Sequence, residues 1–161
     1  RALRELGATT IRFNFRGVGL SEGRYDGGVG ELDDLRAVAT WLRAQRPQAV
    51  TWLAGFSFGA YVSLRAAAEL RPALLISIAP PVGRWDFSSV VLPDCPWLVV
   101  QGDADEVVDP DAVAAWLEAR KAEADLVRMP GTSHFFHRKL IDLRGAIKNG
   151  VKAYLPVAHG G

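Results

Sequence analysis

At 161 residues, 49% of them hydrophobic, the chain is long enough for one well-buried core and too short for two, so a single domain is expected. Nineteen Lys and Arg against 18 Asp and Glu leave a net charge of +1, which excludes a field strong enough to gather nucleic acid or an anionic membrane. The lone Cys95 excludes an internal disulfide, and no apolar run approaches the roughly 20 residues of a membrane helix.

No signal-peptide pattern opens the chain and no Cys/His spacing of a zinc site occurs, so a reducing, cytoplasmic setting is expected. The first residue is Arg1, not methionine, and a preceding segment is expected as well. Short β-branched runs alternate with stretches of helical period, the rhythm of βα units on a mostly parallel sheet with helices on both faces. An α/β fold is the prediction.

In chain order, Arg1 to Leu6 reads as the end of a helix capped by Gly7, and Thr9 to Phe15 alternates as a first strand. After a Gly-rich loop from Gly17 to Gly30, the residues Leu32, Leu35, Val38, Ala39 and Leu42 recur at helical spacing up to the turn at Pro47. Val50 to Ala54 is predicted as a strand and Phe58 to Leu70 as the helix after it. Ala73 to Ala79 and Trp97 to Gln101 are near-continuous apolar runs, the pattern of central strands covered on both faces. Asp109 before Pro110 caps a helix to about Lys121, and Asp125 to Met129 is a last short strand. The stripe Leu140, Leu143, Ile147, Val151 and Tyr154 marks a closing helix, with Gly150 a weak point inside it. Its Arg144, Lys148 and Lys152, four residues apart, read as a solvated outer face.

Gly55-Phe56-Ser57-Phe58-Gly59 stands between a predicted strand and a predicted helix, the setting of a nucleophile elbow. A serine forced onto so tight a turn takes a strained backbone, and small residues two positions to either side avoid collision. Its hydroxyl then stands above the sheet edge, where the Phe58 N–H at the helix start can hold an oxyanion. Serine needs a base. His134 follows the last predicted strand and is the first candidate, His137 the second, and His159 lies in the Gly-rich tail. For the acid that orients the base, Asp103 and Asp105 both follow the strand ending near Gln101, while Asp109 has the helix to cap. Asp105 is favoured, since Gly102 opens the turn and the third residue on reaches back toward the histidine, a preference that rests partly on a family resemblance.

Taken in order, Gly55-Phe56-Ser57-Phe58-Gly59, Gly102-Asp103-Ala104-Asp105 and Gly131-Thr132-Ser133-His134-Phe135 resemble the triad signatures of the α/β-hydrolase superfamily. Arg16-Gly17-Val18-Gly19-Leu20-Ser21 is similar to the loop after strand four of that fold, and Tyr25-Asp26-Gly27-Gly28 with Glu31 to Leu35 resembles small lidless bacterial serine hydrolases of dienelactone-hydrolase-like type. Glu22 stands where a dinucleotide fingerprint has its third glycine, which sets that reading aside. The resemblance implies hydrolysis of an ester, thioester or similar acyl bond of a small molecule, with Ser57 as nucleophile, His134 as base, Asp105 as orienting acid, and no metal or cofactor. An amide or peptide hydrolase would use the same three residues, and a non-catalytic binding protein of the same fold is the alternative from another class. The 17 residues from Pro80 to Pro96, with four prolines, are too short for a helical cap, so an open site is expected, with Phe56, Trp85 and Phe135 as candidate pocket residues. The resemblance also places the start of the chain inside helix A. Strands one to three, and the loop that gives a second oxyanion N–H, are therefore expected to be missing, and the 161 residues alone to be inactive or poorly stable. Nothing in the residues fixes an oligomeric state.

Overall fold

The structure, a computed structural model, describes residues 1–155. Its elements run α1 (Ala2–Glu5), α2 (Val29–Gln45), β1 (Trp52–Phe56), α3 (Phe58–Leu70), β2 (Leu74–Ile78), β3 (Trp97–Gly102), α4 (Pro110–Ala119), β4 (Asp125–Met129) and α5 (Leu140–Val151), which passes into a 3-10 turn over Lys152–Tyr154. The four strands are all parallel and lie in the order β1-β2-β3-β4. Parallel neighbours require crossovers, and α3 and α4 supply two of the three. The connection from β2 to β3 contains no helix.

Alternation along the strands separates two cores. Leu53, Leu75, Trp97 and Val99 pack with Leu35 of α2, Leu64 of α3 and Val113 of α4, whereas Trp52, Ile76, Leu98 and Val100 pack with Leu3 of α1 and with Ile147 and Val151 of α5. With helices on both faces, β2 and β3 are buried nearly end to end, as their unbroken apolar runs predict. The α5 helix approaches β3 closely because Gly150 has no side chain: a Cβ there would lie 2.8 Å from Leu98 Cδ1. The expected weak point is a packing requirement. Nor is the basic stripe simply solvated, since Arg144 and Lys148 reach Glu5 of α1 at 3.4 and 3.3 Å.

Thr9 to Phe15 departs from expectation. It forms no ladder, and Ile11 and Phe13 are 41% and 38% exposed. Alternation makes a strand only where a neighbour takes its hydrogen bonds, and β1, at the sheet edge, pairs with β2 alone among the described residues. Phe15 instead sets its ring edge-on to Phe58 at 5.8 Å. Other boundaries move by a few residues. β1 begins at Trp52, not Val50, and continues to Phe56, which pairs with Ile78. The α2 helix starts inside the expected loop, because the buried Glu31 carboxylate accepts the N–H groups of Asp26 and Gly28, both at 2.8 Å. The α5 helix starts at Leu140, leaving His137 exposed in the turn before it.

Candidate active site

β1 delivers Ser57 to the turn that opens α3. Ser57 takes φ 50° and ψ −116°, a region that residues with a Cβ occupy only at a cost of about 1–3 kcal/mol. Hydrogen bonds hold the turn from both sides: Ser57 N–H donates to Ile78 O at 2.8 Å, and Ser57 O accepts from the N–H groups of Ala60 (2.9 Å) and Tyr61 (3.2 Å). Gly55 makes this path possible, since a Cβ there would sit 2.2 Å from Gly59 O. The crowding is one-sided. A Cβ on Gly59 would meet nothing within 4 Å, so the expected collision applies to Gly55 alone. Phe58 is the first residue of α3, and its N–H falls among those that no intrahelical carbonyl can accept.

The loops after β3 and β4 leave adjacent strands side by side. A Cβ on Gly102 would lie 2.2 Å from Thr132 O, and Ala104 N–H donates to that same oxygen at 3.2 Å. This contact brings His134 over Asp105. His134 Nδ1 lies 2.8 Å from Asp105 Oδ2, and its Nε2 lies 3.0 Å from Ser57 Oγ. The imidazole is almost wholly buried, and the Asp105 side chain is 0% exposed. Of the two acids left open by the spacing, Asp105 therefore meets the histidine. Asp103 braces the turn instead, accepting Gly131 N–H at 2.6 Å, and Asp109 caps α4 through Asp111 N–H at 2.9 Å. His137 stands apart in its turn, and His159 lies outside the described residues.

Every lone-pair direction of Asp105 is engaged. Oδ1 accepts Val107 N–H at 2.8 Å and Val108 N–H at 2.7 Å, while Oδ2 accepts the Gln101 amide at 3.0 Å as well as the His134 ring. Burial pushes this carboxyl up, but the bonds from Val108, His134, Val107 and Gln101 outweigh it and hold the group below the usual carboxylate range. Two residues near the site escaped the sequence reading. Glu106 accepts the His134 backbone N–H at 3.1 Å, and Gln101 holds Asp105. For Gln101 a signal existed, an amide at the end of an otherwise apolar strand run. For Glu106 there was none, because a carboxylate in a loop beside two others has no distinguishing pattern.

The candidate pocket residues divide into two groups. Phe56 and Phe135 flank the imidazole with ring centroids 5.2 and 5.0 Å away, and they are 40% and 68% exposed. Trp85 lies elsewhere, 5.1 Å from Phe58 and 6.2 Å from Tyr25. A cavity of about 900 Å³ opens at the amino ends of β3 and β4, between Cys95 and Tyr154, and touches none of Ser57, His134 and Asp105. Among the described residues no group of three or more His, Cys, Asp or Glu side chains is placed to hold a metal ion, and no helix is long and apolar enough to cross a membrane.

Comparison with known proteins places the chain. Residues 1–94, more than half of it, match the model of the alpha/beta hydrolase family. A crystal structure of an α/β serine hydrolase without lid from Xanthomonas campestris superimposes with a TM-score of 0.94 at 69% identity, covering 98% of this chain and 72% of that one. An α/β serine hydrolase homologue from Coxiella burnetii gives 0.90 at 51% identity, covering 93% and 72%. A curated relative, an uncharacterized protein of Rickettsia prowazekii, is 34% identical over an alignment 154 positions long that covers 89% of this chain and 64% of that protein. This chain thus spans less than two thirds of that relative's length. With the parallel sheet and the strand-to-helix turn at Ser57 already in place, these matches show that the chain belongs to the α/β hydrolase family and has the fold of its serine hydrolases.

Proposed function

We propose that the protein hydrolyses an ester, thioester or related acyl bond of a small soluble substrate through an acyl-enzyme on Ser57. The observation that carries this reading is the continuous path from Ser57 Oγ through His134 to Asp105, at 3.0 and 2.8 Å. As Oγ attacks the substrate carbonyl carbon, His134 Nε2 takes its proton, while Asp105 keeps Nδ1–H fixed and offsets the charge of the imidazolium. The oxyanion of the tetrahedral intermediate accepts a hydrogen bond from Phe58 N–H at the positive end of α3. Collapse expels the leaving group, which receives the proton from Nε2, and leaves Ser57 acylated. A water then repeats the sequence with His134 again as base, which releases the acid and restores the serine.

On this reading the aromatic residues take different sides of the site. The leaving group must stand next to His134 Nε2 to be protonated, so Phe56 and Phe135, which flank that ring, adjoin it. Trp85 packs on Phe58, the neighbour of Ser57, with ring centroids 5.1 Å apart, and on this reading that pair borders the acyl side. The helix-free connection from β2 to β3 supports an open site for small substrates, in line with the lidless Xanthomonas campestris relative. The test is fluorophosphonate labelling of the intact protein, with the modified peptide mapped by mass spectrometry. The label is expected on Ser57 and is expected to vanish in Ser57→Ala. A well-folded protein that takes no label would remove the hydrolase reading and leave a binding protein on the same fold.

A further inference from the structure

Gln101 closes β3 one residue before the loop that carries Asp105, and its residue surface is 0% exposed. Burying an amide is costly unless its groups are bonded, and an aliphatic side chain would serve packing better at this position. Nε2 donates to Asp105 Oδ2 at 3.0 Å and to Gly102 O at 3.1 Å. Oε1 has no partner among the described residues. Turning the amide over would not relieve this, because Oε1 would then face a carboxylate oxygen, acceptor against acceptor. The side chain thus leaves one buried oxygen unmatched in order to keep its N–H on Asp105. Packing alone would not select that arrangement.

We propose that Gln101 is a positioning residue for the Ser57–His134–Asp105 system, its amide N–H holding Asp105 Oδ2 against the Nδ1 of His134. The inference rests on the hydrolase reading above. Oδ2 is the oxygen shared by Gln101 and His134, while Oδ1 is tied to the backbone at Val107 and Val108. Without the amide, Oδ2 has one donor in place of two. The carboxylate is then less stabilised, and it draws the ring proton more strongly. Other charged groups nearby are engaged elsewhere: Asp103 with Gly131 N–H, Glu106 with His134 N–H, and Arg128, the register neighbour of Gln101 on β4, with Asp111 at 2.8 Å.

Two variants of similar volume separate positioning from packing. Gln101→Met removes the donor. It is expected to lower kcat about tenfold, the worth of one hydrogen bond to a charged group, with KM little changed and the acid limb of kcat/KM moved to higher pH. Gln101→Glu behaves differently with pH. While the introduced carboxyl is protonated, its O–H can donate to Asp105 as the amide did. Once ionised it repels Asp105, so the rate relative to wild type is expected to fall as pH rises. Fluorophosphonate labelling rates, taken across pH beside the melting temperature, read both effects without knowledge of the natural substrate. Wild-type rates in both variants, or a uniform loss that follows the melting temperature with the pH profile unchanged in shape, would overturn the inference. Should Gln101→Met fail to fold, the profile of Gln101→Glu decides alone. Failure of Ser57 to label in the wild type is a separate result: it removes the hydrolase reading and this inference with it.

Discussion

In the proposed mechanism Asp105 acts twice, once on His134 and once on the stability of its own loop. In the first role, on that proposal, its contact with Nδ1 at 2.8 Å selects the tautomer that leaves Nε2, 3.0 Å from Ser57 Oγ, free to accept the serine proton. Asp105→Asn presents an amide to Nδ1 and selects the wrong tautomer, so kcat is expected to fall by about four orders of magnitude with the fold retained, as steady-state kinetics would show. The second role depends on pH. A carboxyl held below its ordinary value adds stability that is fully present above the unfolded pKa of about 3.9 and is lost as pH falls through the lower folded value. Urea unfolding of wild type and Asp105→Asn is therefore expected to differ most at neutral pH and to converge in strong acid. Ser57 and His134 were legible in the sequence because each stands beside a recognisable strand end. The choice between Asp103 and Asp105 was not settled by spacing, since both follow the same strand. What separates them is the direction each side chain takes once Gly102 meets Thr132 O, a contact between segments 30 residues apart in the chain.

At the scale of elements, two glycines on one helix make opposite demands. Gly150 faces Leu98, and a Cβ there meets Leu98 Cδ1 at 2.8 Å, whereas a Cβ on Gly145 meets nothing within 4 Å. Gly145→Ala is expected to stabilise the protein by roughly 0.4–1 kcal/mol through the entropy of the unfolded chain. Gly150→Ala is expected to lower the melting temperature by forcing α5 away from β3, and thermal unfolding of the two single variants is the check. Period and propensity marked α3 and β4 at the residues where they occur, because each buries a face or follows a clear start signal. They misjudged Thr9 to Phe15 for a physical reason: local alternation is a property of one segment, while a ladder belongs to two. The start of α2 shifted likewise, since the buried carboxylate of Glu31 supplies the cap that Gly28, lacking a side chain, cannot.

Across the whole molecule, all three residues of the site rise from the carboxyl ends of parallel strands: Ser57 after β1, Asp105 after β3 and His134 after β4. The cavity at the opposite end of the sheet is lined by none of them. The alternating rhythm of the sequence made the parallel α/β sheet legible, and the order of the motifs anticipated their convergence. That α1 and α5 would share a face, joined through Glu5 to Arg144 and Lys148, was not legible, because the ion pairs link opposite ends of the described chain. The backbone of Ser57 carries a consequence for the stability of the whole fold. Its φ of 50° with ψ of −116° mirrors an ordinary extended conformation, which glycine adopts freely and serine does not. Ser57→Gly and Ser57→Ala both delete the hydroxyl and its contact with His134, so their difference isolates the conformational cost. Ser57→Gly is expected to melt higher than Ser57→Ala, by about 2–4 °C for each kcal/mol of strain relieved beyond the flexibility that glycine adds to the unfolded chain. Thermal stability and the proposed turnover would then favour different residues at this one position, and selection for heat resistance alone would drift toward a sturdier protein without the proposed nucleophile.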